Sequence, residues 1–389
     1  MPQHTSRNAM KITSIDAIAT SMIVNPRLAI VSAAGSHPQS HYLVVRIRTD
    51  EGFEGFGEAT VAPVWSGETQ AGAFAAIRNI LAPALIGNDP RNIRRLAAIM
   101  DRALIGNPFT KAALEMALLD LFAKALNRRV CALLGGPQRE EAIPLKFSIG
   151  AFSPAEAVRV ARHAADLGLR AVKVKVGLDL SSDIERVHAV RAELGESFSI
   201  AVDANAGWTE SEATQALPAL EKLNINAFEQ PLRRGDFHGC ARLRARTYIP
   251  IMLDESIFTT RDALEAIRAD SCDLITIYPG KNGGILRSMA IAELADAAGL
   301  KCIIGSNLEM DLGSAAMLHL AAAMPALCTT VAHDIIGPLY YTGHLTRNPI
   351  QFQDGCACVP AGLGLGINPD WPPEGSDRSP LIPSGAPAE

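Results

Sequence analysis

From residue 143 onward, short apolar runs alternate with longer stretches whose apolar positions recur every three or four residues. The runs are predicted strands: Pro144–Ile149, Ala171–Val176, Ser199–Asp203, Ala227–Gln230, Pro250–Asp254, Leu274–Tyr278, Cys302–Gly305 and Thr329–His333. The periodic stretches are predicted helices, among them Pro154–Leu167, Leu180–Leu194, Glu210–Leu223, Arg261–Ala269 and Ile285–Ala297. Strand followed by helix, about eight times over, predicts an α/β fold closed into a parallel barrel. A doubly wound open sheet is the alternative. It favours a glycine-rich phosphate loop after its first strand, and Ile149-Gly150-Ala151-Phe152-Ser153 does not supply one.

Ahead of residue 143 the pattern is different. Residues 10 to about 60 read as strands. Leu43–Thr49 alternates, turns at Asp50-Glu51-Gly52, and returns through Phe53–Glu58 as a hairpin. Helical spacing runs from Thr69 to about Met100 with a proline-bounded break. Thr110–Leu126 is a second helix, with Ala113, Met116, Ala117, Leu121 and Ala125 on its apolar face. Gly135-Gly136-Pro137 stops it. The expected organisation is an α+β unit over 10–135, a barrel over 140–345, and a segment over 346–389 that returns to the first unit. The tail from about Asn368, rich in Pro, Gly and Ser, is expected to be loosely ordered.

Three strand ends change the picture from architecture to chemistry. Barrel active sites are built at the C-terminal ends of the strands. Three consecutive predicted strands carry an acid there: Asp203, Glu229 and Asp254. Adjacent strands lie about 4.8 Å apart, so the three carboxylates converge. Close like charges demand a cation, and hard oxygen ligands suit Mg²⁺, with Mn²⁺ the alternative. Asn205 stands two residues past Asp203 and is a further ligand-orienting or substrate contact. On the second predicted strand, Val172-Lys173-Val174-Lys175-Val176, a period of two sends both lysines inward and the valines outward. Burial and mutual repulsion are expected to lower both pKa values and make a base.

Composition bounds the partners. With 389 residues, 48% hydrophobic, 20% charged and a net charge of −5, the chain has no basic footprint for nucleic acid or an anionic membrane. No 18-residue apolar stretch is present, and Met1–Ala9 carries no signal-peptide run, with Met10 a second candidate start. Seven scattered cysteines argue against a disulfide framework and for a reducing compartment. A cytoplasmic homo-oligomeric enzyme acting on a small carboxylate is the expectation.

At this point the chain resembles the enolase superfamily, in its muconate-lactonizing subgroup. Gly55-Phe56-Gly57-Glu58-Ala59, the helix Ala113–Lys124 and Leu133-Leu134-Gly135-Gly136 resemble that family's capping domain. Lys173-Val174-Lys175, Asp203-Ala204-Asn205, Glu229-Gln230-Pro231, Asp254-Glu255-Ser256 and Gly283-Gly284 resemble its barrel motifs, and the match covers nearly the whole chain. The resemblance implies a modified TIM barrel, (β/α)7β, under an N-terminal α+β cap. It implies metal ligands Asp203, Glu229 and Asp254, Lys175 as general base, and Lys173 as electrostatic support.

One position departs from the family. Most subgroup members carry a second lysine five residues before the Gly-Gly pair; here that residue is Tyr278, and Lys281 follows a Pro-Gly turn. Tyrosine, with an ordinary pKa near 10, is a poor second base. The variant resembles cis-3-hydroxy-L-proline dehydratases, which form a pyrroline-2-carboxylate. Dehydration is therefore the expected reaction. A muconate-type cycloisomerase, or an epimerase with Lys281 as second base, is the alternative, and a non-catalytic carboxylate-binding barrel is a fourth reading. The seventh strand offers no histidine, and His333 is expected to bond locally. Expected substrate contacts are Ser148, Ser306, Asn307 and Glu309 at the barrel mouth, with Glu309 meeting an ammonium or hydroxyl. The cap adds the loops Val24–His41 and Pro63–Glu68, with Trp65 as a lid aromatic.

Overall fold

The computed structural model describes residues 10–139 and 142–372. The first nine residues and the tail from 373 onward, on which the readings of a second start and a loose tail bear, lie outside it.

The N-terminal unit is built on a three-stranded antiparallel sheet of Ile12–Ile23, Gln39–Thr49 and Glu54–Val61, with Gln39–Thr49 in the middle. The hairpin turns at Gly52, whose φ of +83° suits glycine. Helix Pro108–Ala125 lies directly on the third strand. A β-carbon on Gly57 would stand 2.0 Å from the carbonyl oxygen of Ala113, so only glycine allows that approach. The helix was expected to bury one face. It is buried almost all round, because the barrel covers its other side. Its two acids there are matched to backbone donors. Glu115 accepts from Leu286 N, and Asp120 accepts from Phe56 N and Leu365 N. The broken helical stretch resolves into Gln70–Ala76, a wide π turn Ile77–Leu81, Ala82–Leu85 and then Ile93–Ala103. Pro83 has no N–H to offer the carbonyl four residues back, which accounts for the irregular turn before it.

A hairpin, Ile30–Ser32 with Gly35–His37, and a short helix, Pro63–Ser66, project from this unit over the barrel mouth. Asn25 N bonds Tyr340 O, and Ala151 N bonds Val31 O, which tie the hairpin region to barrel loops.

The barrel sheet holds seven parallel strands in sequence order: Phe147–Ile149, Ala171–Lys175, Ser199–Asp203, Ala227–Glu229, Ile251–Leu253, Leu274–Ile277 and Lys301–Ile304. The eighth predicted strand does not form a ladder. Its segment closes the ring through single bridges, Leu145 with His333 and Cys302 with Leu327. His333 N bonds Pro144 O on one side, and Asp334 N bonds Ile304 O on the other. A segment that divides its bonds between two neighbours makes no run of consecutive pairs. The helices observed, Pro154–Asp166, Leu180–Leu194, Glu210–Lys222, Thr260–Arg268 and Ile285–Ala297, match the periodicity to within a residue or so at each end. Helices Phe237–Arg244 and Asp311–Ala323 complete the outer layer.

Inside the barrel, Ala201, Ala227, Met252, Leu274, Ile303, Cys328 and Val331 form a separate apolar plug. The polar site sits above it at the strands' C-terminal ends. After the barrel the chain runs back: Phe352–Gln353 and Cys356–Ala357 pair with Ile143–Pro144, and the Trp371 ring reaches Phe56 at 5.8 Å. Among the described residues no helix is long and apolar enough to cross a membrane.

Candidate active site

The register places the polar residues level with one another. Lys175 pairs with Asp203 across the second and third barrel strands, and Asp203 with Glu229 across the third and fourth. Val172 and Val174 pack outward in the main core, leaving Lys173 and Lys175 inside. Asn205 and Gln230, just past two strand ends, have φ of +41° and +34°. Such backbone is costly for non-glycine residues and clusters at functional sites. Here it turns Asn205 N onto Asp203 Oδ1 at 2.8 Å, and lets Gln230 Oε1 accept from the backbone of Asp254 and Ser256.

The charges are interlocked. Lys173 Nζ lies 2.8 Å from Glu229 Oε2, 3.0 Å from Asp334 Oδ2 and 3.5 Å from Asp203 Oδ2. Lys175 Nζ lies 2.6 Å from Asp203 Oδ2. Burial works against the charge on Lys173, yet Asp334, Glu229 and Asp203 outweigh it and hold that lysine well above its ordinary value. The expected lowering is therefore corrected for Lys173: its neighbours are carboxylates first and a second lysine only after them. It is a fixed cation, suited to holding negative charge.

Burial, reinforced by Asp203, Asp254 and Asp334 against the pull of Lys173, raises Glu229 to about 7. Against the pull of burial, Lys175 and Lys173 hold Asp203 below its ordinary value, while Glu229 beside it resists ionising and so lacks positive charge. With hard oxygen donors, the three strand-end carboxylates fit a divalent cation of the Mg²⁺ or Mn²⁺ kind. As the side chains stand, lysines meet these carboxylates, and among the described residues no three acids, histidines or cysteines are gathered on a single point.

Lys281 is neither solvated nor free. It is fully buried on the single turn Pro279–Asn282, and its Nζ donates to Asp254 Oδ1 at 2.5 Å, Asp254 O at 2.8 Å and Thr276 O at 2.8 Å. All three of its hydrogens are committed, which corrects the reading of Lys281 as a second base. Tyr278, at the end of the sixth strand, stands four strands from Lys175 and so across the barrel from it. Its hydroxyl is buried without a partner among the described residues, and its ring packs edge-on against Trp65 at 6.2 Å and tilted on Phe109 at 6.5 Å. Burial first, then Asp254, Glu309 and Glu255, push its pKa well up, so it remains a phenol that can donate.

A cavity of about 130 Å³ lies between the lid and the barrel mouth. Lys173, Lys175, Ser148, Asn205, Trp65, Ser306 and Asn307 all line it. Glu309 does not. Its carboxylate accepts from Ser306 Oγ at 2.6 Å and Asn307 N at 3.0 Å, so it braces its own loop rather than facing a ligand. His333 bonds locally, taking Ile304 N on Nδ1 and meeting Cys328 O through Nε2.

Sequence reasoning missed Asp334 and His37, which also line the cavity. Asp334 Oδ2 holds Lys146 at 2.8 Å as well as Lys173, while its buried Oδ1 has no partner among the described residues. The strand-end rule, applied to the eighth strand Thr329–His333, points to Asp334. Nothing in the local pattern marks His37.

The comparisons agree with this geometry. Residues 15–135 match the model of the mandelate racemase / muconate lactonizing enzyme N-terminal domain, and residues 156–373 the enolase C-terminal domain-like model. The chain is 32% identical over 363 residues to N-succinyl-L-Arg/Lys racemase of Bacillus cereus, covering 93% of this chain and 96% of that protein. It is 33% identical over 368 residues to the chloromuconate cycloisomerase CbnB of Cupriavidus necator, covering 92% and 96%. A dipeptide epimerase from Cytophaga hutchinsonii, solved with Mg and the dipeptide D-Ala-L-Val, superposes with a TM-score of 0.88 at 29% identity, over 92% of this chain and 96% of that one. These relatives are racemases, epimerases and cycloisomerases, and none of the three is a dehydratase. A cap and a seven-stranded parallel barrel with lysines facing strand-end acids, matched over nearly its whole length, place this chain in the enolase superfamily, in the muconate lactonizing enzyme subgroup.

Proposed function

We propose that this chain removes the α-proton of a small hydroxylated amino or imino acid with Lys175 as its lone base, and completes the reaction on the same face by expelling water. The observation that carries this is the wall opposite Lys175. There stands Tyr278, a phenol, and the one nearby lysine, Lys281, has all its hydrogens bound. Racemisation in both directions needs a group there that takes the α-proton as well as gives one; a phenol pushed well above its ordinary pKa does not take it.

A divalent cation held by Asp203, Glu229 and Asp254 would hold the substrate carboxylate and offset negative charge developing on it. The chain's own groups do the rest. Lys175 Nζ takes the Cα proton, and the C–H electron pair moves into the carboxylate, beside the Lys173 ammonium. The pair then returns to form the Cα–Cβ double bond as the Cβ–O bond breaks. The Lys175 ammonium gives its proton to the departing hydroxyl, which leaves as water. Tyr278 Oη, on the strand across the barrel from Lys175, is the remaining donor.

The substrate class rests on what the cavity asks for. Asp334 is held ionised by Lys146 and Lys173 against the pull of burial, and its Oδ1 is an unfilled acceptor. A substrate nitrogen bearing N–H fits that need, whereas a second carboxylate would be repelled. The test is a panel of hydroxyprolines and muconates with Mg²⁺. Formation of a pyrroline-2-carboxylate from cis-3-hydroxy-L-proline supports the reading, and its absence sinks that substrate.

The second reading is a syn cycloisomerisation, which also needs only one base. The cycloisomerase named among the relatives favours it. Loss of muconate ultraviolet absorbance in the same panel would decide for it.

A further inference from the structure

His37, on the second strand of the lid hairpin, begins a chain of short contacts that runs into the barrel. Its Nε2 lies 2.6 Å from Ser40 Oγ, and Ser40 Oγ lies 2.5 Å from Tyr341 Oη. Tyr341 Oη lies 2.7 Å from Tyr42 Oη, and Tyr42 Oη lies 2.7 Å from the carbonyl oxygen of Leu308. Tyr341 Oη also approaches that carbonyl at 3.2 Å. All the oxygens of the chain are buried or nearly so.

The far end fixes the direction. A carbonyl oxygen only accepts, and each hydroxyl has one proton to give. If Tyr42 serves Leu308, then Tyr341 must donate to Tyr42 and Ser40 to Tyr341. If Tyr341 served Leu308 instead, Tyr42 would give its proton to Tyr341 and the 2.7 Å contact between Tyr42 and Leu308 would hold none. In the arrangement that fills every short contact Ser40 has no proton left, so the contact with His37 takes its proton from the imidazole. The opposite polarity leaves a buried 2.7 Å oxygen–oxygen contact with no proton in it, which is costly. His37 is therefore the Nε2–H tautomer. Its Nδ1 lone pair has no protein partner among the described residues, and the side chain lines the cavity.

We infer that His37 is a substrate-recognition residue of the lid, presenting Nδ1 as an acceptor to an O–H or N–H donor of the substrate. The identity of that donor rests on the hydroxy-amino-acid reading above; the tautomer does not. The device joins lid to barrel, since His37, Ser40 and Tyr42 belong to the cap while Leu308 and Tyr341 follow the seventh strand and the eighth segment. A dianionic dicarboxylate brings no donor to this acceptor. A hydroxylated amino acid brings two.

Two measurements test it, and they fail separately. In the full-length protein labelled with ¹⁵N-histidine, the His37 signals, assigned by their loss in His37→Gln, are expected to show a pyrrole-like Nε2 and a pyridine-like Nδ1. Tyr341→Phe removes a relay proton and should mix the two tautomers. A pyridine-like Nε2 in the unaltered protein overturns the inference without touching the proposed reaction. For recognition, His37→Phe should weaken binding of cis-3-hydroxy-L-proline with Mg²⁺ about tenfold, the worth of one hydrogen bond. If the hydroxyl is the donor, the penalty disappears for L-proline. If the nitrogen is the donor, it disappears for 3-hydroxytetrahydrofuran-2-carboxylate. An equal penalty on all three, or none on any, means that His37 only shapes the lid, and the inference falls.

Discussion

Lys281 Nζ lies 2.5 Å from Oδ1 of Asp254 and also bonds two backbone carbonyls, whereas Lys175 meets Asp203 and lines the cavity. A side chain that orients a ligand for a metal acts through that ligand. Lys281→Met should therefore weaken Mg²⁺ binding by roughly 10- to 100-fold, as measured by calorimetry. It should leave any residual α-proton exchange confined to one face. Unchanged metal affinity would remove Lys281 from this role.

Lys175 faces the cavity from the second strand and is the proposed base. Lys175→Ala should lower kcat by about 10³-fold, in the range of a general base. Full turnover in that variant would refute the mechanism.

Tyr278 occupies the place where a second base would stand. Tyr278→Phe should keep the fold, because the ring contacts with Trp65 and Phe109 persist, and reduce kcat about tenfold through loss of one donor. Tyr278→Lys installs a group that can titrate opposite Lys175. In D₂O it should place deuterium at an inverted α-carbon, which the natural chain should not do. Inversion by the natural chain would contradict the lone-base assignment.

Gly57 is where the cap sheet meets its helix. Gly57→Ala would put a β-carbon 2.0 Å from Ala113 O, a backbone atom with little room to retreat. The expected cost is about 3 kcal/mol or more, as for overpacking and backbone displacement. A denaturant melt that is unchanged would show that the helix slides freely.

Glu115 offers a pH-dependent stability. Burial raises it to about 7, against backbone donors from Leu286 and Ile285. A folded pKa above the unfolded one means that the fold prefers the protonated acid. Its contribution is whole below about pH 4.5 and is lost as pH rises through about 7. Relative to Glu115→Gln, the natural chain should lose about 3 kcal/mol across that window. Parallel stability curves for the two would discard the assignment.

The sequence by itself determined the barrel, because strand and helix periods are local and each unit repeats its signal. It also determined the inward pair Lys173 and Lys175, since a period of two assigns faces once the strand is known, and it marked the strand ends carrying Asp203, Glu229 and Asp254. It marked Tyr278 as the unusual residue. Only the tertiary structure decided what each charge meets. Lys173 was expected to be destabilised by Lys175, and instead it is surrounded by Glu229, Asp334 and Asp203. Glu309 was expected to face the ligand, and its loop turns it inward. Lys281 folds back through a one-turn helix onto Asp254. His37 reaches Leu308 only through residues as far apart as 40 and 341. Electrostatic environment and hydrogen-bond direction are properties of neighbours in space, and those neighbours come from strands and loops that no local pattern connects.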